Sequence, residues 1–382
     1  MIGLRPAQPW QLVALAICVI GCGGGPAEEP QPPPTPEERA EARAKELTSG
    51  LSEGQLVGQR ILYSLEGTTL PDAVAERLRT GRAAGVVLFE RNYASPEQFA
   101  ALVNQIHALS RKGLEGLPAL VMVDQEGGEI RRLPAPPDLS ATQMGAQLSA
   151  AETEAQGAET GVALRSFGVN VDLAPVADIG RPGGALKSEQ RVFSDSPDAV
   201  AAYAVAFSEG LQSAGVASTA KHFPGFGSAQ INTDYGASVV VRSQAEAEED
   251  LVPFEALISE GVELVMLSTA IYSDLEDRPA ALSPLVTDDL LRDRLGFSGV
   301  TVTDALDTPA LDSFASREDV ALATLGAQVD LVLYAHSTQA SLDAESAALT
   351  ALRTGEFSRD EMGASAERVL ELKALLDQSQ PG

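Results

Sequence analysis

The chain has 382 residues, of which 44% are hydrophobic and 21% charged, and its mean hydropathy is +0.00. This composition is typical of a globular protein and excludes a polytopic membrane protein and a mostly disordered chain. Its 27 basic and 54 acidic residues give a formal net charge of −27, which would repel a phosphate backbone, so we expect no nucleic-acid partner. The two cysteines, Cys18 and Cys22, both lie near the N-terminus and exclude a disulfide framework or a structural zinc site in the folded body.

The N-terminal segment has the pattern of a targeting signal. Trp10 to Ile20 are almost wholly apolar and follow a single basic residue, Arg5. These eleven residues would span about 17 Å as a helix, too short to cross a bilayer but typical of a signal-peptide core. The segment ends in Val19-Ile20-Gly21-Cys22, which resembles a bacterial lipobox. We therefore expect residues 1–21 to be a lipoprotein signal peptide and Cys22 to be lipidated; an ordinary secretory signal with an incidental cysteine is the alternative.

A proline-rich stretch follows the lipobox. Pro26 to Pro36 contain six prolines among eleven residues, which indicates an extended tether without a core. Thr35-Pro36-Glu37-Glu38 then has the features of a helix start. We expect three parts: the signal peptide 1–21, the lipidated cysteine and tether 22–38, and a single catalytic domain 39–382. An anchor and a tether predict a protein of the cell envelope that is held to a membrane through Cys22.

The body shows eight short apolar runs that alternate with longer amphipathic stretches. The predicted strands are Arg60 to Leu65, Gly85 to Phe89, Ala119 to Asp124, Asn170 to Ala174, Val216 to Lys221, Leu264 to Ser268, Val300 to Asp304 and Val329 to Tyr334. Each spacing leaves room for a helix, and continuous apolar runs are typical of parallel strands that are covered on both faces. We therefore predict an α/β fold, a (β/α)8 TIM barrel. An open doubly wound sheet is the alternative, but no G-x-G-x-x-G follows the first strand.

Polar residues follow several of the predicted strands. In a TIM barrel the carboxyl ends of all strands meet at one mouth, so these residues should lie close together. The segments are Asp124-Gln125-Glu126-Gly127-Gly128 after strand three, Lys221-His222-Phe223-Pro224-Gly225 after strand five, Thr303-Asp304 at strand seven and His336 after strand eight. A single aspartate after a strand is more often a cap or a surface charge, but three such strand ends together favour a site.

The residue types at these strand ends suit a substrate that is dense in hydroxyl groups. Carboxylates accept hydrogen bonds from sugar hydroxyls, while Arg and Lys donate to other hydroxyls or to a carbonyl. The sequence has no G-x-S-x-G elbow, no phosphate-binding loop and no paired His and Cys, which argues against acyl transfer, nucleotide binding and zinc hydrolysis. We expect no metal and no cofactor.

Several segments resemble the signatures of family 3 glycoside hydrolases. They are Asp124-Gln125-Glu126-Gly127-Gly128-x-x-x-Arg132-Leu133, Lys221-His222-Phe223-Pro224-Gly225, and the run from Pro279-Ala280-Ala281-Leu282-Ser283 through Leu295-Gly296-Phe297-Ser298-Gly299-Val300 to Thr303-Asp304-Ala305-Leu306. The chain is most similar to the single-barrel bacterial β-N-acetylhexosaminidases, and the resemblance covers about Leu51 to Leu375.

The resemblance implies a role for each matched position. Asp304 matches the nucleophile that forms a covalent glycosyl-enzyme, which gives retention of configuration. The residues that match sugar-holding positions are Asp124, Arg132, Arg191, Lys221 and His222. Arg191 lies in Gln190-Arg191-Val192-Phe193, which is similar to the family's Glu-Arg-x-Phe segment; a structural salt bridge is the alternative for this arginine.

The sequence departs from the resemblance at the acid/base position. The hexosaminidase branch usually has Lys-His-Phe-Pro-Gly-His-Gly and then Asp-Ser-His, whose histidine is the acid/base. Here Phe226 replaces the histidine that is the sixth residue of the first segment. Asn232-Thr233-Asp234 stands in place of Asp-Ser-His. Asp234 is therefore the matched acid/base. An aspartic acid has an ordinary pKa of about 3.9 and needs desolvation or a neighbouring anion, such as Asp304, to hold its proton at neutral pH.

The sequence therefore predicts a retaining exo-glycosidase that removes terminal β-linked N-acetylglucosamine, with saccharides derived from peptidoglycan as the expected substrates. Two alternatives stay open: a β-glucosidase-type exo-glycosidase, and a weakly active or non-catalytic sugar-binding lipoprotein. The second follows from the replacement of the acid/base histidine by Asp234. We expect a monomer whose partners are a carbohydrate and, through Cys22, a membrane.

Overall fold

A computed structural model describes residues 33–312 and 314–378 of the chain. The chain separates into two compact units, Met1–Thr35 and Pro36–Gly382, and only residues 33–35 of the first unit are described. The predicted signal peptide and Cys22 therefore lie outside the described residues. The second unit begins with a helix at Pro36, inside the segment 22–38 that the sequence predicts to be a tether.

Eight parallel strands form a closed ring in chain order, which confirms the predicted (β/α)8 barrel. The first seven strands are Leu62–Ser64, Gly85–Val87, Leu120–Val123, Val171–Asp172, Thr219–Phe223, Leu264–Leu267 and Val300–Thr303. The eighth consists of two single bridges, from Leu331 to the seventh strand and from Val332 to Ile61 beside the first strand. The ring therefore closes between the two ends of the chain.

Helices surround this ring. Their bounds are Pro36–Gly50, Glu53–Gly58, Asp72–Arg79, Pro96–Gly113, Ala141–Gln147, Ala150–Ser166, Ala185–Ser188, Pro197–Ser213, Gln244–Ser259, Pro309–Asp312, Arg317–Gly326, Thr338–Thr354 and Arg359–Gln378, with a π-helix at Leu285–Arg294 and 3₁₀ turns at Glu90–Asn92 and Ala280–Leu282. Prolines occupy the first helical position at Pro36, Pro96 and Pro197, as the sequence predicts, because that position needs no backbone N–H donor. No helix among the described residues is long and apolar enough to cross a membrane.

The fifth strand is the one that departs most from its predicted bounds. The apolar run predicts a strand that ends at Lys221, but the strand extends to Phe223 and its register shifts between Ala220 and Phe223. The Lys221–His222 peptide bond within it is cis. Lys221 and His222 thus belong to the barrel wall itself and not to a following loop.

The core has two layers that the strands separate. Inside the ring, alternate strand residues such as Leu120, Met122 and Val302 pack together, and the remaining strand residues pack outward against the helices. Alternation of side chains along each strand explains this division. The interior of the ring is thus filled with apolar side chains.

A cluster of buried charges, which we call the amino-end cluster, closes the opposite side of the barrel. It consists of Asp330, just before the eighth strand, and Arg60, Arg292 and Arg368. Asp330 Oδ1 accepts bonds of 3.0 and 2.6 Å from Arg368, and Oδ2 accepts a bond of 2.8 Å from Arg292. The backbone and hydroxyl of Thr301 also donate to Oδ2, at 2.8 and 3.0 Å. Both oxygens of this buried carboxylate are therefore fully used.

Candidate active site

A cavity of about 450 Å³ opens at the carboxyl ends of the strands. All seven residues that the sequence assigns to the sugar site line it: Asp124, Arg132, Arg191, Lys221, His222, Asp234 and Asp304. They come from the ends of strands three, five and seven and from the connections after strands three, four and five, which the ring geometry brings to one mouth. The structure thus brings together every predicted sugar-site residue.

Lys221 lies between two carboxylates at the floor of this cavity. Its Nζ is 2.7 Å from Asp124 Oδ1 and 2.6 Å from Glu126 Oε1. Arg191 binds the same Glu126 with two parallel bonds, Nε to Oε2 at 2.9 Å and Nη2 to Oε1 at 2.8 Å. Glu126 is buried and does not line the cavity, so it holds the two cations from behind while their outer sides face a ligand. We call these four residues the sugar-site network.

The charges of the network stabilise one another. Burial alone would raise the pKa of Glu126, but the charges of Arg191 and Lys221 outweigh desolvation and hold it well below its usual range. Burial would also raise the pKa of Asp124, but the charges of Lys221 and Arg132 bring it below the ordinary value. Burial would lower the pKa of Lys221, but Asp124 and Glu126 raise it. The network is therefore ionised at neutral pH and presents fixed charges to the cavity.

Arg132 forms the adjacent wall. Its Nη1 is 2.6 Å from Glu90 Oε1 and its Nη2 is 3.5 Å from Asp124 Oδ2. The guanidinium also lies 5.6 Å from the ring centroid of Phe89. Arg132 is thus held from two sides, with its charge beside the carboxylate that the resemblance assigns to sugar binding.

His222 is oriented by a buried aspartate that the sequence analysis missed. Asp178 Oδ2 lies 2.7 Å from His222 Nδ1 and accepts the His222 backbone N–H at 3.0 Å. The other oxygen accepts the backbone N–H of Phe226 at 2.5 Å. With Nδ1–H donating to Asp178, Nε2 is the ring nitrogen that can meet a ligand. Phe226 packs against the imidazole, with ring centroids 5.8 Å apart.

Asp304 follows the seventh strand directly. Its backbone N–H donates to Leu267 O at 2.9 Å, which continues the ladder to the sixth strand. Its carboxylate accepts the N–H of Ala305 at 2.7 Å, and the residue is half-buried at the cavity wall. A carboxylate that is fixed by the backbone in this way can approach an atom in the cavity without rearrangement of a loop.

Asp234 is carried by a short turn on the loop after the fifth strand. The turn closes with a bond from Tyr235 N–H to Asn232 O at 2.9 Å, and Asn232 Oδ1 accepts the N–H of Asp234 at 3.0 Å. The Asn232 amide also donates to both oxygens of Glu189, at 3.1 Å each, and Glu189 lies 3.2 Å from Arg191. The turn is thereby tied to the sugar-site network.

The environment of Asp234 favours its protonated form. The residue is exposed at the rim and lines the cavity. Desolvation there raises its pKa, and the negative charge of Asp304 raises it further; Arg191 and His222 act in the opposite direction. Two carboxyl groups in one cavity, one of which has a raised pKa, are an arrangement that suits general acid catalysis beside a nucleophile.

Three residues of the site lie outside the sequence prediction of site residues. Glu126 stands in the quoted Asp124 segment, but its role behind the cations follows only from the fold. Asp178 lies four residues beyond the predicted end of strand four, and a search for carboxylates after strands could have found it. Glu189 precedes Gln190-Arg191 and carries no separate signal. Among the described residues, no group of three or more His, Cys, Asp or Glu side chains is arranged to hold a metal ion.

The chain is similar to several known proteins. Residues 54–372 match the glycosyl hydrolase family 3 N-terminal domain. A β-hexosaminidase of Stenotrophomonas maltophilia strain K279a is 36% identical over 287 residues, which cover 72% of this chain and 83% of the relative.

Two solved structures are also similar. The β-N-acetylhexosaminidase of Beutenbergia cavernae DSM 12333 superimposes with a TM-score of 0.79 at 32% identity, covering 85% of this chain and 98% of that one. A family 3 β-N-acetylglucosaminidase of Paenibacillus sp. strain FPU-7 gives a TM-score of 0.81 at 29% identity; the match covers 87% of this chain but only 64% of that protein. This chain belongs to glycoside hydrolase family 3.

Proposed function

We propose that the protein is a retaining β-N-acetylhexosaminidase that releases terminal β-linked N-acetylglucosamine, with saccharides derived from peptidoglycan as its substrates. The observation that carries this function is the pair of unlike carboxyl groups in one cavity, a backbone-fixed Asp304 and an Asp234 whose pKa is raised by desolvation and by Asp304. The relatives named above as β-hexosaminidase and β-N-acetylhexosaminidase support the substrate class.

The two carboxyl groups divide the reaction between them. The Asp304 carboxylate attacks the anomeric carbon, and Asp234 gives its proton to the glycosidic oxygen as that bond breaks. The sugar is then held as a covalent ester on Asp304. In the second step water attacks the same carbon while Asp234, now a carboxylate, takes one of its protons, and the ester bond to Asp304 breaks, which frees the Asp304 carboxylate and releases the sugar with net retention. The sugar-site network holds the hydroxyl groups throughout.

Hydrolysis of aryl N-acetylglucosaminide and of aryl glucoside by protein lacking residues 1–22 tests this function. We expect the N-acetylglucosaminide to be preferred and Asp304→Asn to lose about 10⁴-fold or more in kcat. Asp138→Asn, which alters an exposed carboxylate outside the cavity, is the control and should be active. Activity that survives Asp304→Asn would exclude Asp304 as the nucleophile, a preference for glucoside would indicate a β-glucosidase, and sugar binding without hydrolysis would indicate a non-catalytic protein.

The role of Asp234 has its own test. Asp234→Ala should lose about 10²–10⁴-fold on substrates with poor leaving groups, and azide should restore turnover with an activated aryl substrate because it attacks the glycosyl-enzyme without base catalysis. An unchanged rate with azide would contradict the role. Since the acid must be protonated, kcat/KM of the unaltered protein should fall as pH rises through the raised pKa of Asp234, and Asp234→Asn should remove this alkaline limb.

We also propose that the catalytic domain 39–382 is held to a membrane of the cell envelope by a lipid on Cys22, through the tether 22–38. The lipobox-like Val19-Ile20-Gly21-Cys22 supports this anchor. Cys22→Ser should move the protein from the membrane fraction to the soluble fraction and abolish incorporation of labelled fatty acid. Membrane retention of this variant would contradict anchoring at Cys22.

A further inference from the structure

An unusually exposed aromatic side chain lies beside the proposed general acid. Tyr235 is 80% exposed, yet it lines the active-site cavity together with Asp234. Large aromatic side chains usually bury most of their surface, and an exposed ring at a cavity mouth is typical of a surface that binds a ligand.

The turn fixes Tyr235 relative to the acid. Tyr235 N–H closes the turn on Asn232 O at 2.9 Å, and Asn232 is tied through Glu189 to Arg191 at the floor of the cavity. The carboxyl group and the ring are therefore presented by one rigid turn, on neighbouring residues. A general acid must lie within hydrogen-bond reach of the oxygen that it protonates. The leaving group is attached to that oxygen on the side away from the bound sugar, and it therefore lies next to the Tyr235 ring.

The end of the eighth strand contributes a polar ring to the same cavity. His336 also lines the cavity, and 64% of its side chain is exposed. Its backbone N–H donates to the buried Asp307 at 2.8 Å, and its Nδ1 lies 3.4 Å from the same carboxylate. Arg91 donates to the carbonyl of the preceding Ala335. The main chain is thus fixed from both sides, while most of the imidazole stays exposed at the cavity.

We propose that Tyr235 and His336 form the subsite for the leaving group, an assignment that rests on the glycosidase function proposed above. Tyr235 supplies an apolar face against which the C–H face of a sugar ring stacks, and His336 supplies a hydrogen-bonding nitrogen for one of its hydroxyl groups. The leaving group that fits these two side chains is a pyranose or a ring of similar size. Tyr235 and His336 are positioning residues, because neither takes part in the bonds that form or break.

Substrates with and without a ring in the leaving group test this subsite. On N,N′-diacetylchitobiose, Tyr235→Ala should lower kcat/KM about 10-fold and His336→Ala about 5-fold, from lost stacking and one lost hydrogen bond. On methyl β-N-acetylglucosaminide, whose leaving group is too small to reach either ring, both variants should stay within about twofold of the unaltered protein. Tyr235→Phe keeps the aromatic ring and should therefore keep the kcat/KM of the unaltered protein on the disaccharide.

Two controls separate positioning from folding. Val241→Ala alters another exposed apolar side chain of the same segment, outside the cavity, and should leave both substrates unaffected. Inhibition by free N-acetylglucosamine, which needs only the inner site, should be unchanged in Tyr235→Ala. Equal losses on both substrates, or weaker inhibition by the monosaccharide, would overturn the assignment, as would an unchanged kcat/KM on the disaccharide.

A binding measurement keeps the subsite testable if neither substrate is hydrolysed. Calorimetric titration of the full protein with N,N′-diacetylchitobiose and with N-acetylglucosamine should then show that Tyr235→Ala weakens only the disaccharide. Absence of hydrolysis with this binding pattern would reject the enzymatic function and retain the subsite. Equal weakening of both ligands, or no weakening of either, would reject the subsite.

Discussion

The two ends of the barrel both contain buried ionic networks, but they differ in how many of their hydrogen-bonding positions the protein itself uses. In the amino-end cluster, the two oxygens of Asp330 accept five bonds from Arg292, Arg368 and Thr301. In the sugar-site network, the outer sides of Asp124, Lys221 and Arg191 face a cavity of about 450 Å³. Charged groups whose hydrogen-bonding positions are all used by the protein stabilise the fold. Charged groups that are held in place but keep some of these positions open to a cavity can bind a ligand.

The same contrast is visible in two buried lysines. Lys221, at the open end, lies between Asp124 and Glu126, which raise its pKa. Lys373, at the closed end, has the amide oxygen of Gln59 at 2.7 Å as its hydrogen-bond acceptor, and burial lowers its pKa to about 7. Lys221 is held charged by its two carboxylate neighbours. Lys373 has no charged partner to offset its burial and is therefore partly neutral. Replacement of each lysine by methionine should therefore have opposite effects on the free energy of unfolding.

Lys221→Met should produce the largest effect. It leaves Asp124 and Glu126 buried without their shared cation, so we expect the free energy of unfolding to fall by about 3–5 kcal/mol and kcat/KM to fall by about 10³-fold or more. Urea unfolding and aryl N-acetylglucosaminide kinetics measure the two quantities. Full activity in a folded variant would show that the network does not contact substrate.

Asp330→Asn should lower the free energy of unfolding as much as Lys221→Met does, but it should leave kcat/KM almost unchanged. Removing the charge leaves Arg292 and Arg368 unpaired in the amino-end cluster, which should cost about 3–5 kcal/mol of unfolding free energy. Below its unfolding temperature the variant should keep its kcat/KM within about twofold. A large fall in kcat/KM of the folded fraction would mean that the two ends are coupled, contrary to the contrast drawn here.

Lys373→Met should change the pH dependence of stability. Because the pKa of Lys373 is lower in the folded protein than in the unfolded chain, its contribution destabilises the fold at acidic pH, and stability rises by about 1.4 kcal/mol per pH unit between about pH 7 and pH 10. The methionine variant should lack this rise, although Gln59 loses its partner. Urea unfolding at pH 6, 8 and 10 measures it, and an identical slope in both proteins would show that Lys373 is charged in the fold.

Asn232→Ala should produce the smallest effect. It removes the two contacts with Glu189 that tie the Asp234 turn to the sugar-site network, together with the bond from the Asp234 N–H to Asn232 Oδ1, and it should lower kcat/KM about 5- to 20-fold with little change in stability. Ile231→Ala, an exposed neighbour outside the cavity, is the matched control. If both variants behave alike, the tether between turn and network has no role in catalysis.

The sequence was most informative where chemistry is local. Apolar runs of strand length sufficed to predict the barrel, and the ends of these runs pointed to Asp124, Lys221 and Asp304, whereas the full set of site members followed from the family resemblance. Glu189 could not be predicted as a partner because it carries no signal apart from the neighbouring Arg191, whereas Asp178, in the same connection after strand four, could have been found by a search for carboxylates beyond strand ends. The strand-five prediction stopped at Lys221 because the next residue, His222, is polar and a hydropathy pattern treats a polar residue as loop, although His222 is buried in the wall.

The helices Pro36–Gly50 and Arg359–Gln378 pack on each other at the closed end, where Gln378 donates to Pro36 O at 3.1 Å. They fasten a ring whose first and last strands meet through residues such as Arg60 and Asp330, 270 positions apart in the chain. Closing so long a loop is an entropic cost that no local contact offsets, so this seam should be the last part of the barrel to form. During synthesis, the first strand therefore lacks its eighth-strand neighbour until nearly the whole barrel has left the ribosome.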